Sequence, residues 1–508
     1  LERRAVADPE ALERLHESLC FVRAYPDDHA VLERAERMLE RFATRADVRR
    51  NGRWLEQTGI GGTVLQFPFF WETARWMARR WPDRLVIDWD WWDPSKQERL
   101  AREVLPLLTT YAETPALDTV DLGPREWLER LKGPGETDAT FLIRRFEKVP
   151  GDAFTREALY DSLDVPLICR PGDDGPSRTR ARWAPSPVSF RSGPFDAGRP
   201  DLRRELERAP TAVRKLSRRE ADRAIDLTRE AMVTRLRDLY SFSYPDRDDV
   251  HVVDYDDGLQ FVCIGTHPER RLMFESVYGF LTLMNGVPIG YVLASSLFES
   301  SEIAYNVFET FRSGEAARVF SRVLAMAHHL FGARSFSIDP YQLGHGNDEG
   351  LRSGAWWFYA KLGFRPDDAE ARRLYRRERA AIKKDPRHRT DLETLDRMAS
   401  SYLFFRAGPT DDPPLGALSL GNTGLRVADL LAARGGADRE QALRECSEQA
   451  ARLLGLSPRR RLTRTQKLWW TRWSPVVLAL PGVRRWSPAT RRRLAEVVLA
   501  KGGPSERD

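Results

Sequence analysis

Glu302-Ile303-Ala304-Tyr305-Asn306-Val307-Phe308 runs into the turn Glu309-Thr310-Phe311-Arg312-Ser313, after which Gly314-Glu315-Ala316-Ala317 opens a long apolar stripe. The first piece is rich in Val, Ile, Phe and Tyr and reads as a strand. The stripe is Val319, Phe320, Val323, Leu324, Ala327, Leu330 and Phe331, whose spacing predicts a helix. A strand that feeds a glycine-started helix exposes unpaired N–H groups and the positive end of the helix dipole, which suits a pyrophosphate. Gly314 lets the backbone approach closely, and Ala316 and Ala317 keep the first turn uncluttered. Arg312 and Ser313 would add a charge-assisted contact and a hydroxyl. Most such junctions bind nothing, so this one takes its meaning from its neighbours.

Upstream, residues 213–216 suggest a short strand, and Ser217-Arg218-Arg219-Glu220 is a capping box that starts a helix through Met232. Residues 259–265, 272–284 and 287–298 read as strands, with Asn285-Gly286 as a hairpin turn between the last two. Downstream, a strand at 335–338 follows Gly332. A helix at 353–362 ends at Gly363, an arginine-rich helix covers 370–384, and a last strand covers 402–406.

This order, with Phe358-Tyr359-Ala360-Lys361-Leu362-Gly363-Phe364 in the late helix, resembles the GNAT acyltransferase superfamily over residues 211–408. That family's phosphate motif is Gln/Arg-x-x-Gly-x-Gly/Ala. Phe311-Arg312-Ser313-Gly314-Glu315-Ala316 fits its spacing, with Phe in first place and Arg312 substituting from one position later. The resemblance implies an α+β fold: a mixed, mostly antiparallel sheet with helices on both faces, here flanked by all-α regions at both ends. It implies acetyl-CoA or another acyl-CoA as co-substrate and no metal. The pyrophosphate would rest at Arg312, Ser313, Gly314, Glu315 and Ala316. The pantetheine would pair with the backbone of Asn306, Val307 and Phe308. Glu302 takes the place of the family's general base and Tyr359 that of the acid for the leaving sulfur. Glu302→Gln is then expected to weaken the rate most at low pH. Two departures are a long loop inserted at 340–352 and the lack of a clear counterpart to the Asn often found at the late helix start.

The division expected is a helical domain at 1–169, a Pro/Gly/Arg-rich linker or surface wrap at 170–210, the GNAT-like domain at 211–408, and a basic helical region at 409–508. At 508 residues, with 42% hydrophobic and 31% charged, the chain suggests about three ordinary domains and no general disorder. Its longest clean apolar run, 475–483, is interrupted by Pro481 and Gly482, and a spanning helix needs about 20 apolar residues. The first fifty residues are charged throughout, unlike a signal peptide. Cys20, Cys169, Cys263 and Cys446 form no CxxC pair, so a disulfide framework is not expected and a reducing cytoplasm is the default location. Net charge is only +6.

The absence of GxSxG and HExxH removes two hydrolase routes. His328-His329 lie about 100° apart on a helix, poorly placed to share a metal, and suit its C-terminus. In Asp88-Trp89-Asp90-Trp91-Trp92-Asp93 the spacing matches no calcium loop, and Asp93 before Pro94 reads as an N-cap. Trp356 and Trp357 read as core. From Gln449 to Ala495 there is no acid, and Arg459, Arg460, Arg461, Arg464, Lys467, Arg472, Arg484, Arg485, Arg491, Arg492 and Arg493 interleave with Trp469, Trp470, Trp473 and Trp486. Such a stretch can track nucleic acid or lie on a membrane. The favoured reading is a solvated surface with buried Trp and at most weak, salt-sensitive nucleic-acid binding.

The leading reading is an acyl-CoA-dependent N-acyltransferase acting on a small-molecule or protein amine. The alternatives are a non-catalytic scaffold with a degenerate GNAT-like domain, and a nucleic-acid-associated factor.

Overall fold

Three short strands, β1 (Leu65–Phe67), β2 (Leu85–Ile87) and β3 (Leu167–Cys169), lie among the helices of the N-terminal part. They form an antiparallel sheet in the order β1-β3-β2, which corrects the all-helical expectation for this flank. At three residues each they are too short for a period-two pattern to register. The computed structural model describes residues 5–170, 172, 174–183, 187–195, 198–312, 315–409 and 412–507. Two compact units emerge: Leu1–Ser192 with Asp222–Tyr244 and Met284–Pro288, and Gly193–Ala221 with Pro245–Leu283 and Ile289–Asp508.

In the first unit, helices begin where carboxylates or hydroxyls can cap them. Asp8, Asp28, Thr137 and Asp152 each accept a backbone N–H in the first turn of the helix that follows. Asp93 does the same for Pro94–Arg99, as its sequence position implied. The core gathers Trp71, Trp81, Trp92, Leu142, Phe146 and Tyr160 with the three strands. Among the described residues of 170–210, helix Leu202–Leu206 is the one regular element.

The second sheet has nine strands: β4 (Ala212–Lys215), β5 (Pro245–Asp254), β6 (Leu259–Thr266), β7 (Ser276–Met284), β8 (Val287–Leu297), β9 (Ser300–Val307), β10 (Ser335–Ile338), β11 (Arg365–Pro366) and β12 (Leu403–Arg406). Their order is β11-β12-β10-β9-β8-β7-β6-β5-β4. The fold is α+β, with a mostly antiparallel open sheet. Asn285 and Gly286 take φ of 50° and 78°, as a tight hairpin turn requires. The capping box at Ser217 and Glu220 is formed, and its helix spans Arg218–Val233. β5 was not anticipated: its Asp246, Arg247, Asp248, Asp249 and His251 mask the pattern.

β9 pairs antiparallel with β8 along its whole length but parallel with β10 only from Ser300↔Ser335 to Glu302↔Ser337. The helix Ala316–Phe331 that joins β9 to β10 ends at Gly332, which takes a left-handed φ of 69°. The expected loop at 340–352 instead contains helices Pro340–Leu343 and Asp348–Ser353, capped by Asp339 and Asn347. Both are too short to show an apolar stripe. The C-terminal region carries helices Gly421–Gly435, Arg439–Leu454, Arg464–Ala479 and Pro488–Lys501.

Candidate active site

Strand alternation puts Ser300, Glu302, Ala304 and Asn306 on one face of β9 and Ile303 and Tyr305 on the other. Register places Ser295 of β8 and Ser337 of β10 beside Glu302 on its face. The Ser337 hydroxyl is fully buried and has no hydrogen-bond partner. One position beyond the last registered pair of β10 and β12, Ile338↔Leu403, Asp339 comes opposite Tyr402. The Tyr402 phenol lies near enough to both carboxylates, Glu302 and Asp339, for each to act on its titration. Its ring stacks on Phe404, 6.0 Å away, and lies so close to Gly416 that a Cβ there would sit 2.5 Å from it.

Burial pushes the Glu302 carboxyl up to about 7; the Asp339 charge adds to this, and the hydrogen bond with Tyr402 opposes it. Burial and the two carboxylates likewise push the Tyr402 phenol up. Asp339 and Tyr402 were missed as site residues. The signal was available for Tyr402, the first residue of the expected last strand, but its alignment with Glu302 depends on strand order.

Tyr359 is brought to the other side of the sheet. Tyr305 packs on Phe320 at 5.2 Å between ring centres, and Phe320 packs on Tyr359 at 5.3 Å. Tyr359 also touches Phe364, and burial alone pushes its phenol up. Glu302 and Tyr359 therefore do not share a face, and beyond Glu302 β9 and β10 no longer pair.

That opening has further features. The N–H of Phe308 donates to the Ile289 carbonyl at 2.9 Å, so Phe308 and, by alternation, Asn306 direct their main chain toward β8. Ile303, Tyr305 and Val307 direct theirs to the other edge, which has no strand partner beyond Glu302 among the described residues. The side-chain Oδ1 of Asn306 is buried without a hydrogen-bond donor, an arrangement that is costly unless something supplies an N–H. Arg312 pairs with Glu349 and donates to the Val307 carbonyl at 3.3 Å. Glu315 is the N-cap position of the helix at Ala316 and accepts from Arg318 at 2.8 Å. Ser313 and Gly314 lie outside the described residues.

The remaining motifs settle into structural contacts, with Trp357 half-buried rather than in the core. His328 Nδ1 meets the Ala333 carbonyl at 2.8 Å, just past the end of its helix. Trp356 is buried, its indole N–H donating to Met398 O, and Trp357 donates to Thr390 Oγ1. Among the described residues there is no group of three His, Cys, Asp or Glu side chains fit to hold a metal, and no helix is long and apolar enough to cross a membrane. No protein-family model, curated protein or solved structure matches this chain.

Proposed function

We propose that residues 211–408 form a GNAT-like domain that binds acyl-CoA and transfers the acyl group to an amine. One observation carries the reading: β9 leaves its parallel partner β10 at Glu302 and continues to Val307 without a further strand partner among the described residues, beside the orphaned side-chain Oδ1 of Asn306. An extended pantetheine can run along such an edge as an added strand beside Ile303, Tyr305 and Val307, where the Val307 carbonyl is already taken by Arg312. This shifts the expected Asn306, Val307 and Phe308 contacts by one residue, keeping Val307 and leaving Asn306 to act through its side chain. In the reaction, the amine nitrogen bonds to the thioester carbonyl carbon and the carbon–sulfur bond breaks. Glu302 takes the proton that the amine gives up, and Tyr402 and Asp339 hold it oriented. Tyr359 gives its proton to the leaving thiolate through the opening between the strands.

The second reading, a non-catalytic scaffold whose degenerate GNAT-like domain has lost cofactor binding, is favoured by Phe311 in the motif's first place and by the engagement of Arg312 with Glu349. Calorimetry with acetyl-CoA, longer acyl-CoAs and free CoA separates the two. Binding that is abolished by Gly314→Glu supports the transferase. No heat of binding at millimolar CoA rejects it and leaves the scaffold.

A further inference from the structure

The C-terminal helices carry an arginine surface that the proposed transfer chemistry does not use. Between Glu448 and Glu496 the chain has no acidic residue. Folding then concentrates the cations. Arg491 donates to the Leu453 carbonyl at 3.1 Å, which ties the start of helix Pro488–Lys501 to the end of helix Arg439–Leu454. Arg460 grips Glu496 through both nitrogens, at 2.7 and 3.1 Å, and so lays the connector 455–463 along the same helix. Glu496 is thereby neutralised. Along the same connector, the turn Val483–Arg485 and the helix, Arg459, Arg461, Arg484, Arg485, Arg492 and Arg493 are exposed, and none makes an ion pair among the described residues. A surface of one sign raises the local concentration of polyanions.

The aromatic side chains that interleave these arginines point elsewhere. Trp469 is fully buried and donates to the Pro268 carbonyl, Trp470 to that of Ser447 and Trp473 to that of Met273. Trp486 packs on the cluster formed by Leu454, Val477, Val483 and Val498. Trp469 and Trp470 are buried and Trp473 and Trp486 half-buried, so none of the four is an exposed platform for unstacked bases, which single-strand binding without sequence preference ordinarily uses. Val497 is the one large apolar side chain that helix Pro488–Lys501 exposes, far short of the apolar face an interfacial membrane helix needs. What remains is a dense array of guanidinium forks, the geometry that grips phosphate in pairs of hydrogen bonds.

We propose that the connector 455–463, the turn Val483–Arg485 and the first half of helix Pro488–Lys501 bind the phosphodiester backbone of a nucleic-acid duplex, without reading its sequence. A duplex presents one charge per about 1.7 Å of axis, and each neutralised phosphate releases counterions. With about four phosphates engaged, affinity falls about a hundredfold between about 50 and 200 mM salt.

The test is fluorescence anisotropy of the full chain with labelled duplexes about two helical turns long, one of RNA and one of DNA, each in two unrelated sequences. The fourfold variant Arg484→Gln, Arg485→Gln, Arg492→Gln and Arg493→Gln should lose at least about tenfold in affinity and show a flatter salt dependence. A control with the same charge removed from the arginine-rich helix Ala369–Lys384 (Arg372→Gln, Arg373→Gln, Arg376→Gln, Arg379→Gln) should stay within about twofold of the parent. Far-UV circular dichroism and melting curves show that both variants remain folded; single replacements substitute for either that does not. A preference for RNA or DNA identifies the source of the backbone, and either supports the surface. The proposal is overturned by absence of binding at low salt, by equal losses in the two variants, by selectivity between the sequences, or by tighter binding to phosphatidylglycerol vesicles than to duplex.

Discussion

Glu302 is the residue on which the proposed transfer turns, and its environment changes what its titration predicts. Unfolded, its carboxyl titrates at the ordinary 4.5; buried, it is pushed up to about 7. Between those values the folded protein holds a proton that the unfolded chain has lost, so stability falls as pH rises through the window, and the penalty is complete above about 7. Glu302→Gln removes that penalty. The variant should gain up to about 3 kcal/mol over the parent at about pH 8 and far less at about pH 5, read by denaturant unfolding. For the proposed transfer activity the sign is opposite. The carboxylate is available as a base only above about 7, so Glu302→Gln should cost most of its rate there, by about 10²–10⁴-fold. This differs from the expectation of a loss concentrated at low pH, because the buried carboxyl gives up its proton only at about 7. Tyr402→Phe removes the hydrogen bond that opposes the rise, so the midpoint of the rate profile should move further up. Tyr359→Phe should lower kcat with CoA affinity little changed. An unmoved midpoint in the first variant, or an unchanged kcat in the second, removes the respective role.

Among the elements, the parts legible in the chain were those whose signals are local. The Asn285-Gly286 hairpin, the Ser217–Glu220 capping box, the stripe from Val319 to Phe331 and its stop at Gly332 each depend on residues within a few positions of one another. Ser217→Ala should cost about 1 kcal/mol in chemical denaturation. β5 escaped because Asp249, a poor strand residue, is buried there to accept the Tyr278 hydroxyl at 2.8 Å, a partner 29 positions away. The strand expected from 272 begins at Ser276 as β7, since the chain before it serves the C-terminal helices instead: Met273 O accepts from Trp473. Trp469 illustrates the same dependence. Its ring lies under Arg472 at 5.0 Å and its N–H is bonded to Pro268, so Trp469→Ala should cost about 3–5 kcal/mol in chemical denaturation. A loss well under 1 kcal/mol would return the tryptophan to the set available for ligands.

For the molecule as a whole, the spacing of the four cysteines argued against a disulfide framework, and all four are free and buried. Ellman's reagent should therefore find almost no reactive thiol in the native protein and four after denaturation in guanidinium. Rapid labelling of a thiol under native conditions would show that one of these sites opens. Composition bounded the class of protein and periodicity supplied most helices and strands, because both are sums over neighbouring residues. The division into two units, with Asp222–Tyr244 and Met284–Pro288 counted with the N-terminal part, followed no compositional boundary.

The sequence by itself determined that a strand ending near Phe308 is followed by a long helix and another strand, and that Glu302 lies on the first of these. Only the tertiary structure decided that Glu302 meets Tyr402 and Asp339, that Tyr359 faces the other side of the sheet, and that the C-terminal tryptophans turn inward while the arginines stay out. The physical reason is range. Caps, turns and stripes are set by hydrogen bonds and side-chain directions within one or two turns of chain, whereas strand order brings together residues about a hundred positions apart whose pairing leaves no local trace.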